Sequence, residues 1–307
     1  MKLAFSLFPN NPYNELTGTG VAMHSWGDKP IEWVVDRVAE YGYKGIDFFF
    51  TRFLELPQEE YERLSRELGG YIASKGMDVA AIGAHFLTLT NREYLRRGQI
   101  EMMKKAIDFA KDIGAKTVAS YIAGYYSPQT YLLMSRKEAF RIMVDIVKEC
   151  AEYAGERGLT FSIEPHQETL INLPEPTIEV IERVGLDNVR VTIDFGGMEV
   201  GMKPHMPIEE AFKALAPYIN HIHAKDIIGT IGRWNMVWYG GGAVNFKRYA
   251  DALRAINYDG FVSVEWEGWF KGGINGLGDV DHVGLMDMDR VAVEAREFLA
   301  PYFEDED

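Results

Sequence analysis

The sequence predicts an α/β fold, a single closed (β/α)₈ TIM barrel, from its length, its repeated alternation of patterns and the position of its longest connections. The chain has 307 residues, about the size of one such barrel. Short apolar runs of strand length recur eight times, and each is followed by a segment of helical periodicity. A doubly wound sheet usually contains fewer strands and a switch point, so the pattern favours a closed parallel barrel.

The predicted elements alternate along the whole chain. The strands are predicted at 2–8, 44–50, 78–86, 115–122, 159–166, 189–197, 219–226 and 260–267. Helices are predicted near 30–42, 57–75, 91–113, 136–157, 176–185, 207–216, 246–256 and 286–302. The phrases EYGYKG, DIGAKT, ERGLT and NYDG place a glycine between a helix and the next strand, as is typical of helix C-termini. No linker or long repeat divides the chain, so 1–307 is interpreted as one domain.

Three predicted connections are longer than the usual two to six residues or so. They are 9–29, 227–245 and 268–285, and they follow strands 1, 7 and 8. Loops that follow the strand C-termini of a barrel surround its active site, so these long βα loops indicate where function lies. The third loop is rich in glycine, which is typical of a lid or an oligomer contact.

Composition and charge restrict the function classes. Lys and Arg number 32 against 46 Asp and Glu, a net charge of −14 that would repel a nucleic-acid backbone. No run approaches the roughly 20 apolar residues of a membrane span. The N-terminal apolar run is too short for a signal-peptide core, and the only cysteine, Cys150, lies in a helical pattern. We therefore expect a cytoplasmic protein that binds neither nucleic acid nor membrane.

Side-chain alternation on the last four predicted strands indicates a candidate site. On the fifth strand the apolar side chains, such as Phe161, must face the helices, so Glu164 faces the barrel interior. The same reasoning directs Asp194, His223 and Glu265 inward on the next three strands. Each lies near the C-terminal end of its strand, where barrel enzymes carry their active sites.

Three carboxylates and one imidazole in a partly desolvated site favour a bound cation. Mutual repulsion would otherwise raise the pKa of some of the carboxyl groups. These hard and borderline ligands suit Mn²⁺ first, with Mg²⁺, Co²⁺ or Zn²⁺ as alternatives. Four protein ligands leave coordination positions open for substrate oxygens, which is typical of a catalytic metal site.

Several motifs in the C-terminal half carry a resemblance to a known family. They are SIEPH at 162–166, TIDFG at 192–196, HIHAKD at 221–226, GGGAVNF at 240–246 and DGFVSVE at 259–265. In this order they resemble the xylose isomerase-like TIM barrel superfamily of sugar phosphate isomerases/epimerases, which also contains ketose 3-epimerases, inosose dehydratases and endonuclease IV. The resemblance implies the same four metal ligands that the alternation selects.

The resemblance also implies a chemistry, namely removal of a proton next to a carbonyl through a metal-stabilised enediolate. We predict Glu164 and Glu265 as the acid/base pair, because they come from different strands and could address opposite faces of a planar intermediate. His166, close to Glu164 in sequence, is predicted as a further catalytic residue. The predicted activity is a divalent-metal-dependent sugar isomerase or epimerase.

Two positions depart from the ketose 3-epimerase pattern. Gly197 stands where that group has a substrate-binding His, and Gly229 stands where it has an Arg. Arg233, four residues further on, could substitute only if the long loop folds inward. The alternative activity is therefore a keto-inositol or keto-sugar dehydratase, or a related lyase such as one that cleaves C-glycosides, on the same metal site. His166 would then protonate the leaving group.

Five side chains are predicted to contact the substrate. They are His85, Lys225, Arg233, Glu267 and Trp234. A packing role fits His85 equally well, and packing or an oligomer contact fits Trp234. Asp47, like Glu267, is interpreted as a residue that supports the metal ligands, and His221 as a hydrogen-bonded core histidine.

Two other function classes compete with an enzyme of small sugars. A nuclease of the endonuclease IV kind needs more His and Asp ligands, and the acidic charge opposes it. A metal-binding barrel that senses a sugar without converting it stays open on sequence alone. The expected partner is a small-molecule sugar or cyclitol substrate, and the long loops favour a homodimer or homotetramer.

Overall fold

A closed barrel of eight parallel strands confirms the predicted fold class. The computed structural model describes residues 1–7, 25–54, 56–86, 89–121, 134–167, 169–266 and 287–304. The barrel strands are β1 (Lys2–Leu7), β2 (Gly45–Phe49), β3 (Asp78–Gly83), β4 (Thr117–Ser120), β5 (Thr160–Ile163), β6 (Val189–Asp194), β7 (Ile219–Ala224) and β10 (Phe261–Val264). They follow one another around the barrel in chain order, and β10 closes it against β1.

Helices cover the barrel, and a two-stranded antiparallel hairpin extends from it. The helices are α1 (Ile31–Glu40), α2 (Thr51–Leu54), α3 (Gln58–Ser74), α4 (Glu93–Asp112), α5 (Arg136–Gly155), α6 (Pro174–Val184), α7 (Phe195–Gly197), α8 (Ile208–Leu215), α9 (Phe246–Ala255) and α10 (Met288–Phe303). A π-helical turn, Met198–Met202, continues α7. The hairpin consists of β8 (Asp226–Thr230) and β9 (Arg233–Val237). No helix among these described ranges is long and apolar enough to cross a membrane.

Several predicted strands are longer than the observed ones. The prediction 159–166 ends at Ile163, and the prediction 260–267 ends at Val264. One backbone hydrogen bond continues beyond each strand: Glu164 N–H donates to Ser120 O at 2.9 Å, and Glu265 N–H donates to Ala224 O at 3.0 Å. The predicted strands extend too far because the apparent alternation of the side chains continues through Glu-Pro-His and Glu-Trp-Glu, where the backbone has already left the sheet.

Polar side chains fill the lower interior of the barrel. A register shift between β6 and β7 pairs Thr192 with His221 and leaves Asn220 as an extra residue. The Asn220 amide donates to the hydroxyls of Thr117 and Thr160 at 3.1 Å and accepts from Ser162 at 2.9 Å. This hydrogen-bonded layer closes the barrel below the site, so the apolar core lies between the strands and the helices.

Local signals start and end the helices as the sequence indicates. Ser135, Asn245 and Asp287 each accept a backbone N–H in the first turn of α5, α9 and α10. Gly114 follows α4 with a φ of 80°, a left-handed conformation that suits glycine. In NYDG, however, the left-handed residue is Asn257, with a φ of 56°, and not the glycine. Asparagine tolerates this conformation because its short polar side chain bonds locally.

The long connection after β7 is ordered by one buried carboxylate, which the sequence did not predict. Asp226 Oδ2 accepts the N–H groups of Gly240 and Gly242, both at 2.9 Å. Its Oδ1 accepts the N–H groups of Ile227 at 2.9 Å and Val244 at 3.1 Å. A Cβ on Gly242 would collide with this carboxylate, so the glycine is required. The long connections predicted after strands 1 and 8 lie mostly outside the described residues.

Replacing Asp226 with Asn should destabilise the fold. The amide nitrogen cannot accept the two N–H groups that one carboxylate oxygen now accepts, so we expect the free energy of unfolding to fall by about 2 kcal/mol. Urea unfolding followed by circular dichroism measures this change. Asp251→Asn is the control, since Asp251 makes an exposed ion pair with Lys247 and should leave the urea midpoint unchanged. Equal midpoints for both variants would contradict this role of Asp226.

Candidate metal and active site

The four predicted metal ligands lie together at the C-terminal mouth of the barrel, and all are buried. His223 is at the centre of the group, with Nδ1 3.3 Å from Glu164 Oε1 and 3.6 Å from Glu265 Oε1. Asp194 lies at the end of β6, where its Oδ1 accepts the N–H of Gly197 at 3.1 Å. Neighbouring strands thus bring together side chains that are far apart in sequence.

Lys225 joins two of these carboxylates. Its Nζ lies 2.6 Å from Asp194 Oδ2 and 2.9 Å from Glu265 Oε2, and the side chain is buried. The sequence predicts Lys225 as a substrate contact, with balance of the acidic cluster as the alternative, and here its ammonium group contacts two carboxylates of that cluster. A buried ammonium group in this position also restricts the orientation of both carboxylates.

Asp47, on β2, orients the central imidazole from the opposite side. Its Oδ2 lies 3.2 Å from His223 Nε2 and 2.9 Å from His221 Nε2. Ser263 Oγ is a further 3.2 Å neighbour of the His221 nitrogen. A carboxylate that accepts the Nε2 proton of a histidine fixes its tautomer and directs Nδ1 towards a metal. The interpretations of Asp47 as a supporting residue and of His221 as a hydrogen-bonded core histidine agree with these contacts.

The pKa values follow from burial and from these contacts. Burial alone would raise the pKa of Asp47, but the hydrogen bonds from His221 and His223 outweigh it and hold that pKa at about 2. Burial would lower the pKa of His223, yet the charges of Glu265 and Glu164 raise it well above its usual value. The pKa of Glu164 is lowered because the effect of His223 exceeds that of burial. These carboxylates are therefore ionised at neutral pH.

The donor set fits a divalent cation. Among the described residues of the mouth, four carboxyl groups (Asp47, Glu164, Asp194 and Glu265) stand against two cationic side chains, Lys225 and the protonated His223. Glu164 Oε2 is buried and has no hydrogen-bond partner within the described parts of the chain. An unpaired buried carboxylate oxygen is stabilised by a bound cation.

A second arrangement for a metal ion uses Asp47, His221 and His223, whose ligand atoms lie within 4.8 Å of one another. This deeper trio shares His223 with the outer set. However, its contacts have hydrogen-bond lengths, and both histidines direct Nε2 at a single oxygen of Asp47. The outer set draws carboxylates from three further strand ends, Glu164, Asp194 and Glu265, on the side of the barrel where barrel enzymes bind their substrates.

Aromatic side chains line the rim beside this cluster. His85 stacks on Tyr121, with ring centroids 4.3 Å apart, and its Nδ1 accepts the Tyr121 N–H at 3.3 Å. Burial lowers the pKa of His85 to about 4, so it is neutral, with its proton on Nε2. His166 follows at 5.9 Å from the Tyr121 ring, and its Nε2 lies 3.9 Å from Asp194 Oδ2. Both predicted histidines therefore border the acidic cluster.

Other predicted contacts lie elsewhere. Arg233 is exposed beside the turn of the β8/β9 hairpin, so the long loop does not bring it into the buried cluster. Trp234, opposite Gly229 in the hairpin, is half-buried. Glu267 lies outside the described residues.

Sequence reasoning missed Gln167. Strict alternation from β5 directs it towards the helices, but the strand ends at Ile163 and alternation no longer applies. Its side chain is 1% exposed, and both of its polar atoms are buried without a hydrogen-bond partner among the described residues. Its only sequence signal is its position directly after the SIEPH motif.

We expect Asp47→Asn to weaken metal binding by about 10- to 100-fold, because the imidazole of His223 loses the carboxylate that orients it. Isothermal titration calorimetry with Mn²⁺ and with Zn²⁺ measures the affinity. Asp78→Asn on the exposed start of β3 is the matched control and should bind metal normally. Within the same series Glu164→Gln should weaken binding more than His221→Asn. The reverse order would assign the metal to the deeper trio.

Comparisons with known proteins agree with this fold. A family model described as xylose isomerase-like TIM barrel matches residues 35–299. The chain is 23% identical over 251 residues to 3-dehydroshikimate dehydratase of Bacillus anthracis, covering 76% of this chain and 85% of that protein. It is 26% identical over 227 residues to L-ribulose-5-phosphate 3-epimerase UlaE of Escherichia coli O157:H7 (strain EC4115 / EHEC), covering 69% and 76% of the two chains.

Among solved structures, the fold is similar to that of the IOLI protein with a bound zinc atom. The TM-score is 0.70 at 18% identity, and the match covers 99% of this chain and 100% of that one. The family model spans most of the chain and includes all four strand ends that carry the acidic cluster. The chain therefore belongs to the xylose isomerase-like TIM barrel family.

Proposed function

We propose that this protein is a divalent-metal-dependent isomerase or epimerase of a small sugar or cyclitol. The observation that carries the proposal is the position of His223, with Nε2 held by Asp47 and Nδ1 facing Glu164 and Glu265. When a cation displaces the Nδ1 proton, the Nε2 proton held by Asp47 fixes the tautomer, so the imidazole becomes a metal ligand in an acidic surrounding. The epimerase and dehydratase among the relatives support an enzyme of this chemistry.

The metal would be held by Glu164, Asp194, His223 and Glu265, and Mn²⁺ is the first candidate, with Mg²⁺, Co²⁺ or Zn²⁺ as alternatives. Zinc in the similar IOLI structure is consistent with such a site. A bound divalent cation supplies positive charge that stabilises the anion formed when a proton is lost next to a carbonyl. Lys225, which already contacts two of the carboxylates, adds to that charge.

Glu164 and Glu265 are the proposed acid/base pair. In the closed barrel β5 and β10 are separated by β6 and β7, so the two carboxyl groups approach the mouth from different sides. A planar enediolate between them would expose one face to each residue. In one direction the ionised Glu164 removes the proton and becomes neutral, and a protonated Glu265 gives its proton to the opposite face, which inverts that carbon. The reverse reaction exchanges these two roles. Their burial excludes bulk water from these transfers.

The two rim histidines have different proposed roles. His85 is neutral and carries its proton on Nε2, so it is a hydrogen-bond donor to a substrate oxygen. His166 lies beside the Asp194 carboxylate and follows Glu164 by two residues, so it is placed to move a proton at a neighbouring substrate hydroxyl. Stacking on Tyr121 restricts the His85 ring and supports a positioned donor.

A second candidate function is a dehydratase or related lyase on the same site, including one that cleaves C-glycosides. It begins with the same proton abstraction, and His166 would protonate the departing β-hydroxyl group. The position of His166 next to the acidic cluster and the dehydratase among the relatives favour this candidate. The two functions differ in product. A dehydratase releases the hydroxyl group as water and a C-glycoside lyase releases the group bound to the sugar, whereas an isomerase or epimerase releases nothing.

Glu164→Gln and Glu265→Gln should each lower turnover by at least about 100-fold at saturating Mn²⁺, because an amide cannot accept the proton. The measurement is exchange of the substrate α-proton in D₂O, followed by ¹H NMR over a panel of ketoses, keto-inositols and keto-uronic acids. Glu156→Gln, on the exposed end of α5, is the matched control and should retain wild-type exchange. Wild-type rates in either active-site variant with metal bound would remove that residue from the pair.

Metal removal should abolish exchange and leave the fold intact. Treatment with a chelator followed by dialysis is expected to eliminate proton exchange, and added Mn²⁺ should restore it, since the acidic cluster needs the cation's charge. Circular dichroism checks that the barrel persists. Full activity after chelation, with metal content verified by elemental analysis, would reject the metal-dependent mechanism. Loss of a hydroxyl group in the NMR spectra would select the lyase over the isomerase.

A further inference from the structure

Gln167 has a buried side-chain amide that takes no part in the proposed proton transfers. Its side chain is 1% exposed, and neither Oε1 nor Nε2 finds a hydrogen-bond partner in the portion of the chain that the structure describes. Burying an amide without partners destabilises a folded protein. A group of this kind next to an active site therefore indicates a ligand that completes its hydrogen bonds.

Two glycines make room for this amide next to the acidic cluster. A Cβ built on Gly197 would lie 3.4 Å from Gln167 Oε1 and 3.5 Å from the Cβ of Asp194. A Cβ on Gly201 would lie 2.9 Å from the Cα of Gln167, closer than such atoms approach. The π-helical segment can thus pass Gln167 only with glycine at position 201, whereas a methyl group at position 197 would fit as a tight contact. The amide oxygen and Asp194 consequently border the same small space.

We propose that Gln167 is a substrate-binding residue whose amide pairs with a hydroxyl group of a neutral polyol substrate beside Asp194. This inference deepens the proposed function and rests on it. The chemistry of the amide selects the ligand class, because Oε1 needs a donor and Nε2 needs an acceptor, and hydroxyl groups supply both. A carboxylate or phosphate group would satisfy Nε2 alone, and the neighbouring carboxylates would repel it.

The test replaces Gln167 with Met, which keeps the length of the side chain and removes both polar atoms. The Mn²⁺-supplemented protein is titrated calorimetrically with xylitol, sorbitol and myo-inositol, which contain no carbonyl group and so cannot react. Wild type should bind at least one of them, and Gln167→Met should bind it about tenfold more weakly. The melting temperature of the free variant should rise by about 2–4 °C, because an unpaired buried amide is gone.

Gln99→Met provides the matched control. Gln99 lies on α4 and also has a buried Oε1 without a partner in the described chain, so this variant should bind the polyols as wild type does. Gly197→Ala is a second variant, in which Gln167 is kept and a methyl group narrows the space beside Oε1. It should also weaken polyol binding.

Equal polyol affinity in wild type and Gln167→Met, a lowered melting temperature in Gln167→Met, or no binding of any polyol to wild type would overturn the inference. Because these titrations need no turnover, they remain interpretable if the proton-exchange panel yields no activity. Absence of exchange together with the expected polyol results would reject the proposed reaction and keep the amide as a hydroxyl-binding group.

Discussion

Concentrating four carboxyl groups in one desolvated space is the constraint on which the rest of this structure depends. The closed barrel brings the ends of distant chain segments together, and the charge they carry must be balanced without access to water. His223 and Lys225 supply part of that balance: the first contacts three of the carboxylates and the second contacts two. The polar layer below the site is balanced in the same way, because the Asn220 amide forms hydrogen bonds with the hydroxyl groups of Ser162, Thr117 and Thr160 inside the barrel.

The constraint explains why residues on opposite sides of the barrel act as a unit. Asp47 on β2 and Glu164 after β5 never meet directly, but both contact the ring of His223. Protonation or substitution of one carboxylate therefore shifts the pKa of His223 and, through it, the pKa of the other carboxylate. Tyr239 adds a mechanical connection, because its hydroxyl lies 2.9 Å from Ala224 O and 3.1 Å from Glu265 O. The ends of β7 and β10 are thereby held at a common height.

Side-chain alternation was sufficient to predict that Asp194 and His223 face inward, because each lies within a regular strand whose other face must be apolar. It also served for Glu164, since one backbone hydrogen bond continues beyond Ile163. It failed for Gln167, where the backbone has turned and the periodicity of two has no meaning. The extra residue at Asn220 depends on pairing with a strand far away in sequence, which no local pattern contains.

The hairpin was missed for a different reason. Its apolar residues do not alternate regularly, since Ile227 and Ile228 are adjacent, although Gly232 in the turn is a recognisable signal. Asp226 begins the hairpin and its carboxylate also fastens the returning chain at Gly240 and Gly242. The two ends of the hairpin are thus joined through the Asp226 carboxylate, directly after Lys225. Evolution, or a protein engineer, is consequently free to lengthen the tip between Thr230 and Arg233, adding new recognition surface without displacing the residues at the base.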